Sequence, residues 1–144
     1  WSSDVCSSDL VMKRKTSRQR EMILDYLMSV NGHPTAEEIF KNMNAQGTQI
    51  SLATVYRNLG ILEEMHKIRR VAHPEEGYCY DRTSRPHHHL HCIRCNQIYD
   101  LPLPYEDALN ARIASQSRMT VFSHSIMAEG ICEHCRRETD ECKE

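Results

Sequence analysis

The chain has 144 residues, 40% hydrophobic and 26% charged, room for one ordinary domain or two small ones. No apolar run is long enough to cross a bilayer, and no basic start leads into the apolar stretch of a secretory signal, so the expectation is a cytoplasmic protein without a membrane partner. The formal net charge of −2 is uneven: residues 12–72 hold ten Lys/Arg against six Asp/Glu, residues 73–144 eight against twelve, which suggests that only the first half meets a polyanion.

Residues 1–11 have no periodicity and read as a non-native or disordered leader, so Met12 makes the natural start and Cys6 is set aside. Ser17 is placed to cap a first helix, in which Met22, Ile23, Tyr26, Leu27 and Val30 recur on one face until Asn31-Gly32 stops it. Thr35 and Glu38 have capping-box spacing and open a second helix through Ile39, Phe40 and Met43, followed by a loop at 44–47. Ser51 caps a third helix, 52–65, with Leu52, Val55, Leu59 and Leu62 turned inward. Residues 67–72 and 78–80 then flank a His-Pro-Glu-Glu-Gly turn and predict a β-hairpin. Three helices and a hairpin is the winged helix-turn-helix order, in which the last helix enters the major groove of DNA.

Ser51, Thr54, Tyr56, Arg57 and Asn58 are the polar residues near the start of that third helix. Hydroxyls and a helix N-terminus suit phosphates, Arg57 can address a base edge or phosphate, and Tyr56 can pack on thymine methyls or else in the core. Lys15, Arg18 and Arg20 are either backbone or minor-groove contacts or a solvated basic face.

From Asp81 onward the pattern changes, which puts the domain boundary within 77–81: a DNA-binding domain at 12–80, a second domain at 81–137 and a charged, fraying tail at 138–144. Residues 87–92 and 97–101 predict short strands, Pro104 suits the start of a helix reaching about residue 117, and 119–131 read as strand. Cys92-x-x-Cys95 and Cys132-x-x-Cys135 are two matched pairs, and four thiolates at this spacing make a closed tetrahedral shell whose expected metal is structural zinc. Disulfides or a redox dithiol are the competing readings; Cys79 and Cys142 have no such pairing and read as free thiols.

A second centre is marked by His87-His88-His89-Leu90-His91. On a strand alternate residues share a face, so His87 and His89 can reach one ion, with Asp81 and Asp100 on neighbouring segments and His33 in the linker before the second helix. Imidazole with carboxylate suits Fe(II), Mn(II) or Zn(II). The bland alternative is a solvated histidine-rich strand.

These stretches resemble the ferric uptake regulator family: His33-Pro34-Thr35-Ala36-Glu37-Glu38-Ile39, then Ser51-Leu52-Ala53-Thr54-Val55-Tyr56-Arg57-Asn58-Leu59, then His87 through Cys95, then Gly130-Ile131-Cys132-Glu133-His134-Cys135. The resemblance implies an α+β homodimer: an N-terminal winged helix and a small α/β dimerisation domain carrying the four-cysteine zinc. It also implies a pseudo-palindromic DNA operator and a regulatory metal held by His33, Asp81, His87, His89 and Asp100. Aspartates at 81 and 100 look like the peroxide-sensing (PerR-like) branch, where Fe(II) reacts with peroxide and a ligand histidine, here His33 or His87, is oxidised. The iron-sensing branch usually has glutamates there, and Cys79 keeps a zinc-sensing reading open. Asn96 stands where the family usually has glycine, and Pro86 where a ligand of a further site often stands, leaving His88, Glu106, Asp107 and His124 as a partial version.

Two other classes compete with a repressor. A His/Asp cluster can activate water, but no separate base or nucleophile accompanies it, so neither an enzyme nor a small organic substrate is expected. A zinc-ribbon interaction module without DNA binding is at odds with the 51–59 helix.

Overall fold

The computed structural model describes residues 17–141. Helices α1 (Arg18–Ser29), α2 (Ala36–Ala45) and α3 (Leu52–Glu64) lead into a hairpin of β1 (Arg69–His73) and β2 (Gly77–Asp81). The apolar stripes of the helices meet in one core of Ile23, Leu27, Ile39, Met43, Val55, Leu59 and Leu62, extended by Ile50, Ile68 and Tyr80. Helix starts are chemically marked. Thr35 Oγ1 accepts from the Glu38 amide at 3.2 Å and Glu38 accepts from the Thr35 amide at 2.8 Å, so the expected capping box is formed. Ser51 Oγ accepts from the Thr54 amide at 3.2 Å. Ser17 holds the N-cap position of α1 but makes no side-chain cap bond. Gly32 has φ +107°, a conformation that lets the chain turn sharply after α1.

The hairpin is shifted from its predicted bounds. His73 pairs with Gly77, so it belongs to the strand and the turn is 74–76.

A second sheet has strand order β4-β3-β5, with β3 (His88–Cys92) in the centre, β4 (Ile98–Leu101) antiparallel to it and β5 (Met127–Gly130) parallel. Four of the five residues of β3 are buried, because both its faces are covered. Three expectations are corrected here. Helix α4 (Asp107–Ser117) starts three residues after Pro104: Tyr105 is drawn into a ring stack with His88 and His124, and the Glu106 carbonyl accepts the first helical bond, from Leu109 at 3.0 Å. The stretch 119–131 is strand only at β5, since the amides of His124 and Ile126 are taken by Tyr105 Oη and His88 Nδ1, both at 3.1 Å, instead of by a ladder. The tail expected to fray from 138 is helical as far as residue 141: α5 (Glu133–Glu141) begins directly after Cys132, whose carbonyl accepts from Arg136 at 3.0 Å. Ion pairs Glu133–Arg137 and His134–Glu138 at i, i+4 support it. No residue of α4 is buried. Among the described residues, no helix is long and apolar enough to cross a membrane.

Candidate metal centres and nucleic-acid interface

The first centre forms where β3 ends. Cys92 closes the strand, Cys95 lies in the tight turn after it, Cys132 follows β5 and Cys135 sits in the first turn of α5. The four sulfurs lie within 4.8 Å of one another, and Cys95 Sγ and Cys132 Sγ are 3.9 Å apart. That is too long for a disulfide and close to the roughly 3.8 Å edge of a tetrahedron with Zn–S bonds of about 2.3 Å. All four cysteines are free thiols. Burial opposes a thiolate at Cys92, yet the amides of Cys132, Cys95 and Arg94 bring it down to about 6. Burial, reinforced by the neighbouring sulfurs, pushes Cys135 up to about 12. Amides aimed at sulfur, together with three buried cysteines, fit a structural zinc. Tyr99 Oη lies 3.5 Å from Cys95 Sγ, a neighbour with no signal in the cysteine spacing.

The second centre gathers His33, Asp81, His87, His89 and Asp100, with one donor atom from each inside 4.8 Å. His33 comes from the loop before α2, Asp81 ends β2, His87 directly precedes β3, which starts one residue later than expected, His89 is in β3, and Asp100 lies in β4 opposite His89. Their contacts converge on two oxygens. Asp81 Oδ2 is 3.0 Å from His87 Nε2 and 3.6 Å from the Nε2 atoms of His33 and His89. Asp100 Oδ1 is 2.9, 3.1 and 3.6 Å from those of His87, His33 and His89. Yet His33 Nε2, His89 Nε2 and Asp81 Oδ2 are buried and none of them makes a hydrogen bond. Such atoms cost about 1–3 kcal/mol each when left unsatisfied. His87 Nε2 bonds Asp100 Oδ1 at 2.9 Å, but three further donors directed at the same point without a hydrogen bond fit a cation with nitrogen and oxygen ligands. Two ring orientations are held from behind: His33 Nδ1 bonds the Ile98 carbonyl at 3.1 Å, and His87 Nδ1 that of Arg85 at 2.8 Å. Both turn Nε2 toward the centre, as a ligand requires. Those backbone acceptors were missed by the sequence, since a carbonyl carries no residue signature.

The partial further site is not assembled as a carboxylate site. His88, Tyr105 and His124 stack, but His124 Nδ1 bonds Asn110 Oδ1 at 2.8 Å, and Glu106 and Asp107 are exposed at the start of α4. Among the described residues only the four-cysteine and the five-residue groups reach metal-binding proximity. Cys79 joins neither. It is fully buried with Val71 and Ile98, its thiol donates to the Val71 carbonyl, and burial pushes its pKa up to about 12.

On α3, Ser51, Tyr56 and Arg57 are exposed and Thr54 half-buried. Asn58 departs from expectation: it is 3% exposed and gives its amide to the Thr54 carbonyl at 2.9 Å, so it braces the helix from inside. Tyr56 is on the surface and not in the core; its hydroxyl donates to the Glu37 carboxylate, which raises its pKa to about 12. Arg18 is exposed, whereas Arg20 is buried at 8% exposure and does not present a free basic face. Lys15 lies outside the described residues.

Three helices, a wing and a thiolate-stapled sheet with two donor clusters define a winged-helix protein organised around metal. The chain belongs to the ferric uptake regulator family, whose model matches residues 12–129. It is 28% identical to a peroxide-responsive repressor, PerR, of Staphylococcus epidermidis over 83% of this chain and 80% of that protein. Among solved structures it is similar to the iron-containing ferric uptake regulator of Francisella tularensis, with a TM-score of 0.71 and 27% identity over 87% of this chain and 96% of that one. It is also similar to the peroxide stress regulator of Campylobacter jejuni, with a TM-score of 0.64 and 29% identity over 81% and 88%.

Proposed function

We propose that the chain is a cytoplasmic, homodimeric, metal-dependent repressor of the peroxide-sensing kind, with DNA bound by residues 12–80 and metal and dimer contacts supplied by 81–137. The convergence of His33, Asp81, His87, His89 and Asp100 carries this reading. Asp81, His89 and Asp100 belong to β2, β3 and β4, His87 directly precedes β3 and His33 belongs to the loop leading into α2, so all five meet only when the winged helix is folded against the second sheet. A ligand that needs all five favours that closed form. In it, Ser51, Thr54, Tyr56 and Arg57 on α3 meet a pseudo-palindromic operator, one half-site per protomer.

The peroxide branch is supported by the aspartates at 81 and 100 and by the names of the relatives. Fe(II) held by these five residues would supply reducing electrons to peroxide, which Mn(II) held there would not. His33 and His87 turn their Nε2 atoms to the centre and would be the side chains within reach of oxidation there. Losing either as a ligand opens the joint between wing and sheet and releases DNA. The sulfur of Cys79, capped by Val71, gives no support to a zinc-sensing variant.

Peptide mass mapping after brief stoichiometric peroxide tests the branch. Oxygen gained at His33 or His87 in Fe(II)-loaded but not Mn(II)-loaded protein is the expected result. Intact histidines in protein with verified iron would leave an iron- or zinc-responsive repressor of the same fold.

A further inference from the structure

A second set of polar contacts joins the wing to the other sheet, using none of the five donors and no cysteine sulfur. His73 lies in β1 and His91 in β3; both are buried, and their rings meet edge to face with centroids 5.2 Å apart. Asn96, directly after Cys95 in the thiolate turn, sits between them. Its carbonyl is 2.9 Å from His73 Nε2, its Oδ1 is 2.7 Å from His91 Nε2, and its Nδ2 donates to Glu76 Oε1 at 3.0 Å.

The directions of these bonds are determined. His73 Nδ1 accepts from the amides of Glu75 and Glu76, at 3.2 and 3.0 Å, so the ring proton is on Nε2 and is given to Asn96. Only the amide nitrogen of Asn96 can donate to the Glu76 carboxylate, which turns Oδ1 to His91 and puts that ring's proton on Nε2. The asparagine backbone is left-handed, φ +60°, and its own amide closes the turn on the Cys92 carbonyl at 2.8 Å. A glycine would accept that backbone readily. Asparagine accepts it too, and adds a side chain that reaches the wing.

We propose that Asn96 is a positioning residue that docks the tip of the wing onto the thiolate turn, and so favours the same closed arrangement in which His33 meets the other four donors. This rests on the reading of those five residues as the regulatory metal site. Two contacts that favour one conformer reinforce each other: metal strengthens the dock, and the dock strengthens metal binding by the same factor.

The test uses the full zinc-loaded chain. Asn96→Gly keeps the left-handed turn and deletes both side-chain bonds; Glu76→Ala deletes the wing-side bond from an exposed position away from the sulfurs. Amide exchange at Glu75 and Glu76 reads the dock without metal or DNA, and Mn(II) titration reads the coupling. Asn96→Gly is expected to speed exchange and weaken Mn(II) binding about fivefold to tenfold, and Glu76→Ala about twofold to threefold, with zinc content unchanged. Unaltered exchange in both variants overturns the dock. Faster exchange with unaltered Mn(II) affinity overturns the coupling. A wild-type chain that binds no Mn(II) would instead refute the five-residue site, while exchange still reads the dock.

Discussion

His33 Nδ1 lies 3.1 Å from the carbonyl oxygen of Ile98, a buried hydrogen bond between residues 65 positions apart. It spends the one ring proton on β4, so the other nitrogen is left bare and turned to Asp81 and Asp100. One contact therefore ties the loop before α2 to the second sheet and prepares a ligand.

The same pair of neighbours gives a pH signature. Burial disfavours a charged His33, but Asp81, then Asp100 and the Ile98 carbonyl, outweigh it and hold its pKa above 6.5. Burial likewise opposes the Asp81 carboxylate, yet His33, His89 and the Thr83 amide hold it well below 3.8. In the metal-free chain the raised His33 stabilises the fold fully below its unfolded value and loses that contribution as pH rises through its folded one. The depressed Asp81 contributes above its unfolded value and loses its share only as pH falls through its folded one. Both act together between about pH 4 and 6.5. Metal needs the neutral ring and so runs oppositely. The melting-temperature gap between metal-free wild type and His33→Gln should therefore shrink from about pH 6 to about pH 8.5 while Mn(II) affinity grows. Calorimetry and titration check this, and a gap that widens with pH would sink the His33–Asp81 pairing.

Part of both clusters was legible from spacing, two residues between the thiols of each pair and His87 and His89 two apart. His33, Asp81 and Asp100 come from other segments and were joined to them by the family resemblance. What was not legible depends on long-range partners. Asn58 and Arg20 are polar in sequence but fall on inward-facing turns of their helices. Residues 119–131 read as strand, yet Tyr105 and His88 capture the amides of His124 and Ile126. Asn96 looked like a mild replacement of glycine until His73, His91 and Glu76 were brought to it.

Neighbouring residues of α3 should separate by phenotype. Arg57 is exposed, whereas Asn58 is buried against the Thr54 carbonyl. Arg57→Ala should abolish specific operator binding with melting temperature and zinc content unchanged. Asn58→Ala should lower stability by about 1 kcal/mol. Gel-shift titration beside thermal melting decides it; operator affinity retained by Arg57→Ala would remove α3 from the recognition role.

Cys79 offers a test of the zinc-sensing branch. Its thiol is fully buried, bonded to the Val71 carbonyl and absent from the five-residue cluster. Cys79→Ala should leave the affinities for Mn(II) and Zn(II) at the regulatory site within about twofold and cost only stability, about 1 kcal/mol for the lost packing. Isothermal titration measures both. A selective collapse of Zn(II) affinity would make this thiol a ligand in a form of the site other than the one seen here.

Removing the structural metal should divide the molecule unevenly. The core of α1–α3 is built from Ile23, Leu27, Ile39, Val55, Leu59 and Leu62 and includes no cysteine. The far end of the second sheet has the sulfurs as its core, Cys92, Cys132 and Cys135, with Leu90 and Cys95 against them. So small an apolar cluster cannot replace a zinc bond set, which supplies roughly 10 kcal/mol or more in small zinc domains. Cys132→Ser should therefore lose zinc and convert one melting transition into two. The lower should fall by at least about 10 °C and report β3–β5, the upper the winged helix. Hydrogen exchange should show β3 and β5 unprotected while α1–α3 stay protected. A single, uniformly lowered transition would mean that the wing and the thiolate sheet unfold as one unit.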